Sequence, residues 1–205
     1  MFRRVDGHIL VGLVILMGAV AAVAMTSETF AAGPQTRIVP LSAQEQADLL
    51  YMREEEKLAR DVYLTLSAKW QTPIFSNIAA SEQNHMDAIL TLLQRYKVAD
   101  PVAGMGVGEF ATEHFQTLYN DLVAWGSQSL IDALKVGCTI EEIDIIDLWN
   151  CMAATTHKDV LNVYQNLEAA SENHLRAFVG QLASRGVTYE PVYLTPEQYQ
   201  QIINP

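Results

Sequence analysis

The sequence predicts an all-α fold. Apolar residues recur at helical spacing through most of the chain, capping residues punctuate those stretches, and no run of strand period has convincing length. Half of the 205 residues are apolar, enough for one domain with a substantial core.

Each element carries its own local signals. Ser42 followed by Glu45 is a capping-box pattern that opens a helix running to about Lys69. Thr72-Pro73 opens a second helix to about Lys97, with proline at the first helical position, where its missing N–H costs nothing. Asp100-Pro101 and the glycines at 104, 106 and 108 then break the pattern. A third helical segment spans Glu109 to Trp125, with Phe110, Leu118, Leu122 and Val123 spaced for one face. After Gly126 a helix covers Gln128 to about Ala154, loosened around Gly137, and a last long helix covers His157 to about Ser184, stopped by Gly186. Thr195-Pro196 with Gln198 caps a short final helix. Four long helices with about 30 residues between the second and third match a four-helix bundle whose long crossover contains an extra helix, the ferritin-like layout among bundle topologies.

Residues 1–32 read as an export signal: Arg3 and Arg4, an apolar run from Ile9 to Val23, then the small residues Ala22-Val23-Ala24 and Ala31-Ala32. That places the expected location in the periplasm or outside the cell. An uncleaved anchor over residues 9–25 is the alternative, since the run is slightly long for a signal and slightly short for a span of about 20 residues. Residues 33–40, rich in Gly, Pro, Thr and Gln, form a linker; 41–186 form the bundle and 187–205 a tail with its short helix. Cys138 and Cys151 fall on one predicted helix, about 20 Å apart along it, too far to pair, and read as core residues. A formal charge of −11 argues against nucleic acid as a partner, because phosphate contacts draw on Lys and Arg.

The chain also repeats itself. Glu55-Glu56-Lys57-Leu58-Ala59-Arg60-Asp61-Val62-Tyr63 aligns without gaps on Glu141-Glu142-Ile143-Asp144-Ile145-Ile146-Asp147-Leu148-Trp149. Ser81-Glu82-Gln83-Asn84-His85 and Ser171-Glu172-Asn173-His174 pair the second and fourth long helices in the same way.

Helical neighbours decide which charges point inward. Glu82 and His85 lie among Phe75, Ile78, Ala79, Met86, Ile89 and Leu93, and His174 among Leu167, Ala170, Leu175 and Phe178. Glu55 shares its face with Met52, Leu58, Ala59 and Val62, whereas Glu56 neighbours Arg53 and Arg60, and Glu54 neighbours Lys57 and Asp61. Glu55 is therefore the expected inward carboxylate of the first helix. Glu141 is preferred over Glu142, for which a local capping box with Thr139 offers a different role. Glu172 falls on the opposite side of its helix from His174, leaving Ser171 where the repeat would want a glutamate, and Asp144 is the candidate replacement.

Several carboxylates inside one bundle need a positive partner, because an unpaired buried charge costs several kcal/mol. Inward Lys and Arg are too few. Two divalent transition metals held by Glu55, Glu82, His85, Glu141, Asp144 and His174 would meet both charge and geometry, with iron or manganese suiting mixed carboxylate and imidazole ligation.

The segments Met52 to Tyr63, Asn77 to His85, Ile140 to Leu148 and Asn173 to Phe178 resemble those of the prokaryotic domain of unknown function 2202, over about Leu41 to Ile203. The resemblance implies a ferritin-like fold and a di-metal centre without supplying a reaction. The leading expectation is an exported di-iron or di-manganese oxidoreductase acting on oxygen or peroxide, with Tyr51 as an auxiliary donor or radical site. Its partners would be metal ions and a small oxidant, with a membrane only through the N-terminal anchor; a homo-oligomer is compatible. The alternatives are a non-catalytic metal storage protein and a metal-free helical interaction domain.

Overall fold

A computed structural model describes residues 38–205. The export segment and the first part of the linker lie outside the described residues. Six helices follow in order: α1 (Ala43–Trp70), α2 (Pro73–Tyr96), α3 (Glu113–Gly126), α4 (Leu130–Ala154), α5 (Lys158–Ala183) and α6 (Pro196–Ile203). The described residues contain no strand, and no described helix is long and apolar enough to cross a membrane.

The capping boxes form at Ser42/Glu45 and Thr195/Gln198. The third helix starts four residues later than its apolar spacing predicts. Thr112 caps it by accepting from the Phe115 N–H, while Glu109 folds back onto the Gly106 N–H at 2.8 Å and closes the loop instead. Helix α4 runs unbroken through Gly137, where the ring of Phe178 occupies the space a side chain would take.

The long helices pack as α1 on α2, α2 on α5, α5 on α4 and α4 on α1; α3 lies against α1 and α4, and α6 against α5. Two apolar layers result. One contains Leu58, Val62, Tyr63, Phe75, Ile78, Leu175 and Phe178, and tail residues Tyr189, Leu194, Tyr199 and Ile202 join it. The other contains Leu49, Met52, Ile89, Leu93, Leu148, Val160 and Leu167. Between them lies a band of buried polar residues: Glu55, Glu56, Glu82, His85, Glu141, Asp144, Ser171 and His174. Hydrophobic burial on both sides fixes the four helices and forces that band out of water.

Candidate metal centre

On α1, three consecutive carboxylates, Glu54, Glu55 and Glu56, are all buried. Successive residues turn about 100° around a helix, and α1 is covered by α2, α3 and α4. Each carboxylate therefore meets a different neighbour. Glu54 turns to the crossover and accepts from the N–H groups of Ala111 and Thr112 at 3.1 and 3.2 Å. Glu55 faces α4 beside Asp144 and Asp147. Glu56 turns to α2, where its Oε2 is 3.1 Å from His85 Nδ1.

The centre of the arrangement is Glu82. Its Oε2 lies 2.7 Å from His85 Nδ1 and its Oε1 lies 2.9 Å from His174 Nδ1. Glu141 Oε2 approaches the same His174 nitrogen at 3.4 Å. Two triads thus share Glu82: Glu56, Glu82 and His85 on one side, Glu82, Glu141 and His174 on the other, with the donor atoms of each triad within 4.8 Å of one another. The imidazoles stack with centroids 5.8 Å apart. Asp144 is buried beside them; its Oδ2 accepts from the Ser171 hydroxyl at 2.5 Å, and its Oδ1 has no hydrogen-bond partner.

Of the six residues expected from sequence, Glu82, His85, Glu141 and His174 come together in the triads and Asp144 lies against them. Glu55 is buried but outside both triads. Glu56, read as a flank residue, is inside one. The face argument failed because the arginines that marked the flank are engaged rather than solvated. Arg53 pairs with Asp100 at 2.8 Å and donates to the Met86 carbonyl at 2.8 Å, while Arg60 pairs with Asp61 at 2.7 Å.

Glu142 is not a capping residue. Helix α4 begins nine residues before Thr139, at Leu130, and the Glu142 carboxylate accepts from the Tyr189 hydroxyl and from the N–H groups of Val192, Tyr193 and Leu194. It holds the C-terminal tail. Tyr51 is partly exposed and donates to Asp147 at 3.1 Å, away from the triads. The tyrosine at the site is Tyr63, fully buried, whose hydroxyl donates to Glu141 Oε1 at 2.6 Å. It lies seven residues after Glu56, two helical turns along the same face, a spacing that could have singled it out.

Charge is poorly balanced within the band. Burial, then the charge of Asp144, pushes the Glu56 carboxyl well above its usual range, with His85 opposing. Burial raises Glu141 as well, and burial with Glu141 raises Asp144 to about 7. Burial would also raise Glu82, but the two imidazoles outweigh it and hold that carboxyl at about 2. Burial opposes protonation of the histidines, yet Glu56 and Glu82 raise His85 to about 11, and Glu141 and Glu82 raise His174 to about 10. Each Nδ1 therefore carries a proton at neutral pH where its carboxylate neighbours converge.

A divalent cation fits this donor set. Glu56 Oε1, Glu82 Oε1, Asp144 Oδ1 and His174 Nδ1 are buried without a hydrogen-bond partner. His174 Nδ1 and Glu82 Oε1 approach to 2.9 Å as an ion pair. The other ring nitrogen of His174 lies 3.1 Å from Ser81 Oγ, which can accept from an Nε2–H, so the proton to be lost on ligation is the one on Nδ1. Neighbouring cations are committed elsewhere: Lys57 pairs with Asp61 and donates to the Gly106 carbonyl at 2.7 Å. Burial pushes both cysteine thiols up, Cys151 to about 12, so neither offers a ready thiolate.

Comparisons with known proteins reach the same segment. Residues 45–205 match the profile of the uncharacterized protein domain DUF2202. The chain is similar to the uncharacterized protein MJ0754 of Methanocaldococcus jannaschii, with 50% identity over 165 residues, covering 80% of this chain and 89% of that protein. The crystal structure of hypothetical protein MJ0754 from Methanococcus jannaschii superposes with a TM-score of 0.80 at 49% identity, covering 82% of this chain and 97% of that one. The chain belongs to the DUF2202 family.

Proposed function

We propose that this protein is a ferritin-like four-helix bundle that binds two divalent transition-metal ions, iron first and manganese second, and serves as an oxidoreductase toward oxygen or peroxide. The observation that carries the reading is the position of Glu82, one oxygen against each of two histidine Nδ1 atoms. A carboxylate so placed suits a bridge between two ions. Glu56 and His85 would complete one position, Glu141 and His174 the other, with Asp144 available to both.

Bound iron or manganese would supply the redox chemistry. The chain's own residues prepare the site. Ser81 meets the far ring nitrogen of His174, Tyr63 fixes the Glu141 carboxylate, and the two apolar layers keep water from competing for the donors. The Nδ1 protons must leave for metal to ligate, so affinity should rise with pH. The signal-like residues 1–32 support work outside the cytoplasm.

The test is metal content together with the absorption spectrum after oxidation, on protein purified without chelators and loaded with ferrous iron or manganese. Two ions per chain and catalytic consumption of oxygen or peroxide are expected. Absence of bound metal overturns the whole reading; bound metal without turnover overturns the oxidoreductase part and leaves storage.

A further inference from the structure

The α1–α4 seam holds a second set of carboxylates that the triads do not use. The two helices run antiparallel along it: Tyr63 meets Gly137 and Glu141, Glu55 meets Asp144 and Asp147, and nearer the start of α1, Asp48 comes close to Cys151. At that end a cavity of about 270 Å³ opens to solvent, lined by Gln44, Asp48, Tyr51, Asp147, Asn150 and Cys151. Half-buried Asp147 lines this cavity and also reaches Glu55 within hydrogen-bonding distance. Glu55 is 4% exposed, its Oε2 has no partner, and its neighbours are two more carboxylates. The unpartnered Asp144 Oδ1 stands next along the seam, beside Glu141.

Three carboxylates facing one another without a cation is an unfavourable arrangement, and burial makes it more so. Among the described residues, neither Arg nor Lys pairs with Glu55, and no backbone N–H satisfies its free oxygen. A ladder of carboxyl oxygens from a solvent cavity to a buried site is what a hydrated cation needs to exchange its waters stepwise.

We propose that Glu55 and Asp147 form a transient divalent-cation station on an access route along the α1–α4 seam, passing ions from the Asp48/Asp147 cavity by way of Asp144 to the triads. The route rests on the metal-centre reading above. It gives Glu55 a role in loading rather than in the final ligand set, and it explains why Glu55 is buried with a free oxygen yet absent from both triads.

Cobalt(II) uptake by the full chain, followed by stopped-flow absorption of the bound ion, tests the route. Asp147→Asn and Glu55→Gln are compared with the wild type and with Glu190→Gln, which removes an exposed charge outside the cavity lining. The seam variants should slow uptake about ten-fold while the final cobalt content stays at the wild-type level, and Glu190→Gln should change neither. Unchanged rates in both seam variants overturn the route. Equal slowing in the Glu190→Gln control also overturns it, since bulk charge would then be responsible. A fall in final cobalt content in Glu55→Gln overturns the station by making Glu55 a ligand. If the wild type binds no cobalt, the metal-centre reading itself fails, and the route with it.

Discussion

Replacing Glu82 with glutamine is the sharpest perturbation available, because one side chain serves both triads. In the metal-free protein its carboxylate stands 2.7 and 2.9 Å from two imidazole nitrogens. Unit charges about 4 Å apart attract by about 4 kcal/mol at an effective dielectric of 20, so even a heavily discounted share of that attraction leaves each imidazolium weaker by more than about one pKa unit, or 1.4 kcal/mol. Glu82→Gln should therefore bring both histidines down from about 11 and about 10. Under the proposed metal-centre reading it would also remove the ligand shared by the two ions. Glu56→Gln should weaken only the position built on His85, and Glu141→Gln only the one built on His174. Histidine titration by NMR on metal-free protein reads the first effect, and metal content after cobalt titration reads the second. Two ions bound by Glu82→Gln at wild-type affinity would refute the shared-ligand geometry. So would imidazole titrations that do not move.

Four further outcomes follow from the same contacts. Glu142→Gln leaves buried tail donors without their charged acceptor and should cost about 3 kcal/mol, read by urea denaturation, with proteolysis near residues 189–194 appearing first; an unchanged urea midpoint would remove Glu142 as the anchor. Gly137→Ala would place its Cβ 2.5 Å from the Phe178 ring and should lose about 1–3 kcal/mol by overpacking, so a thermal midpoint equal to wild type would contradict the packing. At the far end of α1, burial pushes Glu45 up, but the Ser42 N–H, His157 and Thr155 outweigh it and hold the carboxyl below 4.5, while the bond to Glu45 holds His157 above 6.5. The Glu45 share of stability is full above pH 4.5 and fades as pH falls through its folded value; the His157 share is full below pH 6.5 and fades as pH rises through its own. The thermal-midpoint difference between wild type and His157→Gln should thus be largest between pH 4.5 and 6.5, and a difference flat from pH 3 to 9 would refute it. Ser171→Ala removes a hydroxyl that helps hold Asp144 down at about 7, so metal affinity should fall at neutral pH and recover in alkali, whereas a loss independent of pH would argue against titration of Asp144.

Much of this was legible in the sequence because capping and periodicity are local. Ser42/Glu45, Pro73, Gly186 and Thr195/Gln198 placed helix ends within a few residues, and the apolar neighbours of Glu82, His85 and His174 sufficed to turn them inward. Glu56 was not legible, because its burial depends on what covers α1. A face bearing Arg53, Lys57, Arg60 and Asp61 reads as solvated until the crossover supplies Asp100, the Gly106 carbonyl and the Gly108 N–H as partners. Glu142 failed for a related reason: its partners lie about fifty residues downstream in the tail, and the nearby Thr139 offered a local explanation that the continuous helix rules out.

The repeat, finally, is related to the site in a way that its best alignment hides. Matching Glu55-Glu56 to Glu141-Glu142 maximises identity, yet the residues in like positions around Glu82 are Glu56 and Glu141, one against each histidine. The two helix pairs are thus related by a register one residue away from the gapless match. His85 and His174 keep their equivalence, but Ser171 replaces the counterpart of Glu82, and Asp144 approaches from the adjacent helix with one oxygen held by that serine. The carboxylate that a symmetric centre would draw from α5 has in effect been moved to α4. A hydroxyl in the glutamate's place removes one buried charge and orients another, so the two triads share Glu82 while differing in the residues around it.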